Sequence, residues 1–255
     1  MLKLLHLNLN CCIFFHIKRS FYMNSDMILR TTNYYRILNR LRSLGLEKVF
    51  AHNLADAAGV SAAVVRKDFS MLEIYGQKRG GYEIPDLLER IGTILGKTEE
   101  PQNVIIVGCG RIGKALMHYN GFESDGIHVI AGFDSDPLIY NDQSHPVPLY
   151  SINRLEEIAK KHDIKVAIIT VPEAATADIF HKLMQVGIYG ILNFSPITLK
   201  SSKLENGTVP VVHNVNIALE LEQIFYKLKF PKVEWPNKKL TQRKPVGGHS
   251  PLYHF

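Results

Sequence analysis

The sequence predicts an α/β chain in two parts, a winged helix-turn-helix head followed by a Rossmann-type parallel sheet. Three observations predict it. Residues 33–84 run helix, glycine turn, helix and then a basic, glycine-rich tip. The β-branched run Val104-Ile105-Ile106-Val107 leads directly into Gly108-Cys109-Gly110-Arg111-Ile112-Gly113. From there strand-like and helix-like segments alternate to residue 228.

In the head, Tyr34, Tyr35, Ile37, Leu38, Leu41 and Leu44 recur at helical spacing, with Arg36, Arg40 and Arg42 on the other face. Gly45 ends that helix. A second, short helix begins near His52 and carries Leu54, Ala55, Ala57 and Ala58 to Gly59. Gly59-Val60 makes the turn. Ser61 suits the N-cap of a third helix through Val64, Val65, Lys67, Asp68, Phe69, Met71 and Leu72. In a helix-turn-helix the second member enters the major groove. Ser61, Arg66 and Lys67 would meet DNA there, small residues allowing close approach and cations reaching phosphate or guanine. After it, Lys78 and Arg79 stand at a glycine-rich tip between β-prone flanks, as in a wing that reaches a minor groove. A three-helix bundle with a charged hairpin is the competing reading of the same segment.

The second part opens at Pro101, after a linker around Gly96 to Glu100. Its first strand ends at the glycine motif and a helix through Ala115 and Leu116 follows. The glycines allow a tight turn and bring backbone N–H groups up to a pyrophosphate. Gly108, Gly110, Arg111, Ile112 and Gly113 are therefore cofactor candidates. The next strand, Val129 to Phe133, ends in Asp134, at the spacing of an acid that accepts hydrogen bonds from the adenosine ribose. An acid there would repel a 2′-phosphate, which favours NAD(H) over NADP(H). A turn residue before Ser135-Asp136-Pro137 is the other reading. A helix over 155–161, a strand over 166–171, a helix over 174–186 and strands at 190–194 and 209–215 complete a doubly wound series, closed by an apolar helix over 217–228. Ligands sit beyond the carboxyl ends of such strands, which adds Thr170, Val171, Pro172 and Asn193 to the pocket.

Composition sets limits. The 255 residues suffice for two modest domains, and 46% hydrophobic with 21% charged residues is ordinary for a globular protein. The net charge of +6 is unevenly spread. Residues 24–85 carry nine Lys/Arg against six Asp/Glu, residues 86–226 eleven against seventeen, and the stretch from Lys227 seven against one. Basic ends about an acidic middle suit a polyanion partner, and solvated surface lysines explain them equally well. Cys11, Cys12 and Cys109 make no disulfide framework and no zinc pattern, which implies a reducing, cytoplasmic setting and no metal. The run Leu2 to Ile17 is broken by Lys3, His6, Asn8 and Asn10, too short and polar to span a bilayer. Residues 1–23 read as a disordered or over-extended start, with Met23 or Met27 a plausible initiator.

No catalytic group emerges. A dehydrogenase needs a proton donor and a substrate-anchoring domain beside the nicotinamide, and after the last strand only one helix and a Lys/Pro-rich tail remain. His213, near a strand end, is the one candidate acid, and a structural role is the more ordinary one for it.

Taken together these motifs resemble the redox-sensing transcriptional repressor (Rex) family over roughly residues 33–228. The resemblance rests on Tyr34-Tyr35-Arg36, Val65-Arg66-Lys67-Asp68-Phe69-Ser70, Gly81-Tyr82, the glycine motif, His118-Tyr119-x-Gly121-Phe122, Thr170-Val171-Pro172 and Gly190-Ile191-Leu192-Asn193-Phe194-x-Pro196. It implies a homodimer with an exchanged C-terminal helix, bound to double-stranded operator DNA and released when NADH replaces NAD⁺. It implies DNA contacts at Arg66, Lys67, Lys78 and Arg79, and a switch in which a loop aspartate changes partners between Arg36 and Tyr119. Here that loop reads Asn214-Val215-Asn216, so the switch position is the uncharged Asn216, followed by Ile217 where the family often has an aromatic. Glu73 and Arg79 stand where the family's wing segment usually has glycine.

The expected layout is a winged-helix domain at 24–85, a linker helix at 86–100, a NAD(H)-binding domain at 101–216, a dimerisation helix at 217–230 and a basic tail at 231–255. The alternative functions are an NAD-dependent oxidoreductase or nucleotide-binding domain with an accessory head, and a constitutive DNA-binding protein whose cofactor is structural.

Overall fold

A computed structural model describes residues 23–77, 80–97, 102–142 and 144–230. The initial run through residue 22, Lys78 and Arg79 of the expected wing tip, and the basic tail from 231 lie outside the described residues. The chain divides into two compact units, Met1–Val104 with Ala115–Ile130, and Ile105–Lys114 with Ala131–Phe255.

In the first unit, α1 (Ser25–Ser43) starts earlier than its apolar periodicity suggests, because the Asn24 side chain accepts the Met27 N–H at 2.9 Å and caps it. Gly45, at φ 81°, ends it in the left-handed conformation that glycine adopts freely. Next come α2 (Ala51–Ala58) and α3 (Ala62–Met71), joined by the turn at Gly59, whose φ is 68°. Strand β1 (Lys48–Val49) pairs antiparallel with β2 (Tyr82–Glu83), the strand that follows the wing segment, and Gln77 bridges to Gly81 across that segment. Helix α4 (Ile84–Ile94) buries Ile84, Leu87, Leu88 and Ile91 against Tyr34, Leu38, Leu54, Val65 and Phe69. The segment that reads from sequence as a linker helix thus lends its apolar face to the head's core.

After α3 the chain closes in a Schellman turn. The Ile74 N–H donates to the Phe69 carbonyl at 2.8 Å and the Glu73 N–H to Ser70 at 3.1 Å. Glu73 itself sits at φ 54°, a left-handed position where a side chain costs about 1 kcal/mol. This is one of the two positions at which the family resemblance calls for glycine. Glu73→Gly is therefore expected to stabilise the head by about 1 kcal/mol, read as a rise in the midpoint of urea unfolding with the slope unchanged.

Six strands form the sheet: β3 (Gln102–Val107), β4 (Ile127–Asp134), β5 (Leu149–Ser151), β6 (Val166–Ile169), β7 (Gly190–Asn193) and β8 (Val211–Asn214). Their order is β5-β4-β3-β6-β7-β8, and the pairs β4/β5, β6/β7 and β7/β8 are parallel. Numbered from β3, that is 3-2-1-4-5-6, the doubly wound Rossmann order. Its central strand is buried from Val104 to Val107, as a strand covered on both faces must be. Short helices α5 (Arg111–Met117), α6 (Gly121–Ser124), α7 (Pro137–Tyr140) and α8 (Leu155–Lys161), then α9 (Glu173–Gln185), fill the crossovers. The chain's described part ends with α10 (Ile217–Lys229). Among the described residues no helix is long and apolar enough to cross a membrane, and no group of His, Cys, Asp and Glu could hold a metal ion.

Candidate functional site

The strand order reverses between β3 and β6, and there the chain crosses most closely: the Thr170 N–H donates to the Val107 carbonyl at 2.8 Å. Each glycine of the motif has a separate task. Gly108 has φ 94°, and a Cβ on it would lie 2.8 Å from the Thr170 backbone and from the Val171 side chain. Thr170 in turn donates its hydroxyl to the Gly108 carbonyl. A Cβ on Gly113 would strike that same carbonyl, so this glycine allows helix α5 to sit against the strand end. Gly110 is different. It is exposed, and a Cβ there meets nothing within 4 Å. The loop is thus packed on its inner side and open on its outer side, the form of a cradle for a diphosphate.

Asp134 ends β4 beside this loop. One carboxylate oxygen accepts the Cys109 N–H at 2.7 Å and the other the Asp136 N–H at 3.0 Å. The acid therefore fixes the loop's backbone and keeps further lone pairs that outside donors could use. Arg111 and Ile112 are exposed at the start of α5, and Val171 and Pro172 lie at the mouth of β6. These residues fit a dinucleotide.

Asn193 has another task than lining the pocket. It is fully buried, its amide donating to the Ile197 carbonyl and to Asn214, both at 2.8 Å, and its carbonyl oxygen accepting the Ser195 N–H at 3.0 Å. With both amide hydrogens and one oxygen lone pair engaged inward, its side chain braces the loop after β7.

Cys109 lies buried under the loop. Burial first, then the charge of Asp134, pushes its thiol up to about 12 from an ordinary 9.0. Tyr34 in the head is likewise pushed up to about 12 from 10.0, chiefly by burial. Both folded-state values are raised, so the unfolded chain releases these protons first. Their stabilisation is complete below about pH 9 and fades as pH climbs towards 12. Thermal melting is expected to decline over that range, and Cys109→Ala to remove part of the decline.

In the head, Ser61 caps α3 by accepting the Val64 N–H at 3.3 Å, as its position suggests. Val65, Phe69 and Leu72 point inward, leaving Arg66 and Lys67 exposed on the outer face. Sequence reasoning missed what holds this helix. Asp68 is 2% exposed and accepts a two-pronged bond from Arg30, Nε at 2.7 Å and Nη2 at 2.8 Å, plus the Tyr34 hydroxyl at 3.0 Å. The signal was present: Val65, Asp68, Phe69 and Leu72 share one helical face, so an acid stands in an apolar row and requires partners.

Each of the three residues expected to form the switch has a partner of its own. Arg36 pairs with Asp125, Nε to Oδ1 at 3.1 Å. Tyr119 is 56% exposed and meets Phe122 edge-on at 5.1 Å. Asn216 caps α10, accepting the N–H groups of Ala218 and Leu219 at 3.1 and 3.2 Å. His213 is an exposed residue of β8. A cleft of about 1230 Å³ in the first unit lies along α1 and is lined by Arg36, Arg40, Arg42, Lys97 and Asp125.

Comparison with known proteins matches both parts. Residues 99–197 match the model of the CoA binding domain family, and residues 26–70 that of the putative DNA-binding protein N-terminus. The chain is 35% identical to the redox-sensing transcriptional repressor Rex of Streptococcus uberis over 199 residues, 77% of this chain and 91% of that protein. It is 34% identical to the repressor of the same description from Exiguobacterium, with 79% and 90% covered, and 35% identical to that of Bacillus licheniformis, with 77% and 88% covered. Among solved structures it is similar to RSP in complex with β-NAD⁺ and operator DNA, with a TM-score of 0.71 and 26% identity over 82% of this chain and 94% of that one. The RSP complex with β-NADH gives a TM-score of 0.66 at 26% identity, over 82% and 96%.

Proposed function

Because this chain belongs to the Rex family of redox-sensing transcriptional repressors, we propose that its head grips operator DNA while NAD⁺ occupies the glycine-loop pocket and lets go when NADH replaces it. The observation that carries this reading is a single chain holding both a glycine loop open at Gly110, at the sheet's reversal point, and a helix-turn-helix with Arg66 and Lys67 outward. Gly108, Gly113 and Thr170 shape the loop, Gly110, Arg111, Ile112, Val171 and Pro172 border the cofactor, and Asp134 takes the ribose. Ser61, Arg66 and Lys67 face the major groove, with Lys78 and Arg79 as the wing's cations. The working division is the head at 24–85, a connecting helix at 86–100, the cofactor domain at 101–216, a dimerisation helix at 217–230 and a tail. The protein is a regulator without a catalytic centre, acting in the cytoplasm, where both the DNA and the nicotinamide pool are found.

The deciding experiment is a mobility-shift titration. A palindromic duplex selected by the protein from a randomised pool is held with NAD⁺, and NADH is then added. Release at increasing NADH fraction is the expected result. Indifference to both cofactors would discard the switch and leave a constitutive DNA-binding protein. A ligand shifts the equilibrium only as far as its affinities for the two arrangements differ.

The dimer reading is supported by α10. Ile217, Leu221, Ile224, Phe225 and Leu228 repeat at helical spacing, and all are 48–73% exposed in the single chain. Such a stripe calls for a partner. Its Glu220 and Glu222 complement the cations along α1, so a second copy's α10 suits the Arg36–Lys97 cleft. Sedimentation velocity is expected to give a dimer for the wild-type chain and a monomer for Leu221→Asp/Phe225→Asp. A wild-type chain that stays monomeric at operator-binding concentrations would remove the dimer.

A further inference from the structure

We infer that Arg30, Asp68 and Tyr34 form a positioning clamp that sets the rotation of α3 and so determines how strongly the head prefers its operator over other DNA. The inference rests on the DNA-binding reading above and concerns residues outside the set expected to touch DNA.

Helix α3 is held inward by Val65, Phe69 and Leu72. Those contacts are apolar and carry little direction, so alone they tolerate a few degrees of roll about the helix axis. Asp68 supplies direction. Its two oxygens receive a planar fork from Arg30 and a hydroxyl from Tyr34, and Arg30 and Tyr34 stand one turn apart on the same face of α1. A bidentate guanidinium–carboxylate pair fixes orientation as well as distance. Tyr34 is itself wedged edge-on against Phe69 at 5.8 Å, and Phe69 against Tyr82 at 4.9 Å, so the clamp's far side is rigid.

The leverage is direct, because Arg66 and Lys67 immediately precede Asp68. A helix with its side chains has a radius of about 5–6 Å, so a roll of about 10° moves its outer face by about 1 Å. Base-edge hydrogen bonds do not survive such a shift, whereas phosphate attraction does. Loss of the clamp should therefore reduce preference for the operator and leave general DNA affinity in place. Buried ion pairs can often be replaced by apolar side chains without loss of stability, which separates positioning from mere support.

The test compares fluorescence anisotropy on the selected duplex and on a scrambled duplex of equal length, at one salt concentration. Asp68→Asn is expected to lower operator affinity roughly tenfold, to change scrambled-duplex affinity less than about twofold, and to leave NADH affinity unchanged. Tyr34→Phe, which keeps the ring and removes one bond, should lower the ratio roughly threefold. Arg30→Met/Asp68→Leu should melt like the wild type and still lack the preference, and it decides the matter if Asp68→Asn does not fold. A stable double variant that keeps the wild-type ratio would overturn the clamp, as would a parallel fall of both affinities. A wild-type chain that binds neither duplex would remove the DNA-binding reading itself, a result distinct from either.

Discussion

Gly110→Val is expected to weaken NADH binding by about 100-fold or more, equivalent to about 2.7 kcal/mol, while leaving the melting temperature unchanged. The expectation comes from where a side chain would go. Gly110 is exposed, its φ lies outside the left-handed range, and a Cβ there meets nothing within 4 Å, so the free protein accommodates the substitution. The space it would fill is the space a diphosphate needs in order to reach the loop's N–H groups. Gly113→Ala gives the opposite pattern. Its Cβ would collide with the Gly108 carbonyl and press to 3.0 Å from the Thr170 hydroxyl, so it is expected to cost about 3 kcal/mol of stability. Calorimetric titration with NADH and a thermal melt on each variant separate the two effects. Gly110→Val that binds NADH like the wild type would show that the diphosphate is not held at this loop.

This pair also shows what the sequence can and cannot reveal. The motif's spacing identifies all three glycines together, yet only the fold distinguishes two that packing fixes from a third, Gly110, where a Cβ would meet nothing within 4 Å. Local signals carry most of the fold. The buried run of β3, the turn at Gly59, the Ser61 cap and the span of α8 over Leu155–Lys161 each follow from neighbouring residues. Pairings between distant segments are harder to read. The three-residue edge strand β5 is too short to show a period, and β1 meets β2 across more than thirty residues. Nothing near Arg36 in sequence points to Asp125, and nothing near Asp68 points to Arg30. Asn193 reads as a pocket residue because it closes a strand at the ligand-bearing edge, but its partners Ile197 and Asn214 turn it inward. Side-chain direction at a strand end is a tertiary property. Asn216 carries the same lesson: its side chain is capping α10 with two N–H bonds, a local use that an uncharged amide performs well.

Arg66→Ala/Lys67→Ala is expected to reduce operator affinity on the order of 100-fold and to make its salt dependence shallower by about one unit of slope for each phosphate no longer neutralised. Both side chains are exposed on α3, and neither takes part in the Arg30–Asp68–Tyr34 cluster or the head's core, so the fold should persist. The two contributions can be told apart. A cation that reads a guanine edge costs about 1–3 kcal/mol when removed and relaxes preference at one position, with little effect on salt slope. One that meets phosphate weakens every duplex alike and flattens the slope. Measuring single variants on selected and scrambled duplexes over a range of salt therefore assigns each residue its role. NADH affinity should stay at the wild-type value throughout, since the glycine loop belongs to the other compact unit. If the double variant bound the selected duplex as tightly as the wild type, α3 would not be the reading helix. The basic segments outside the helix-turn-helix would then have to supply the contact with DNA.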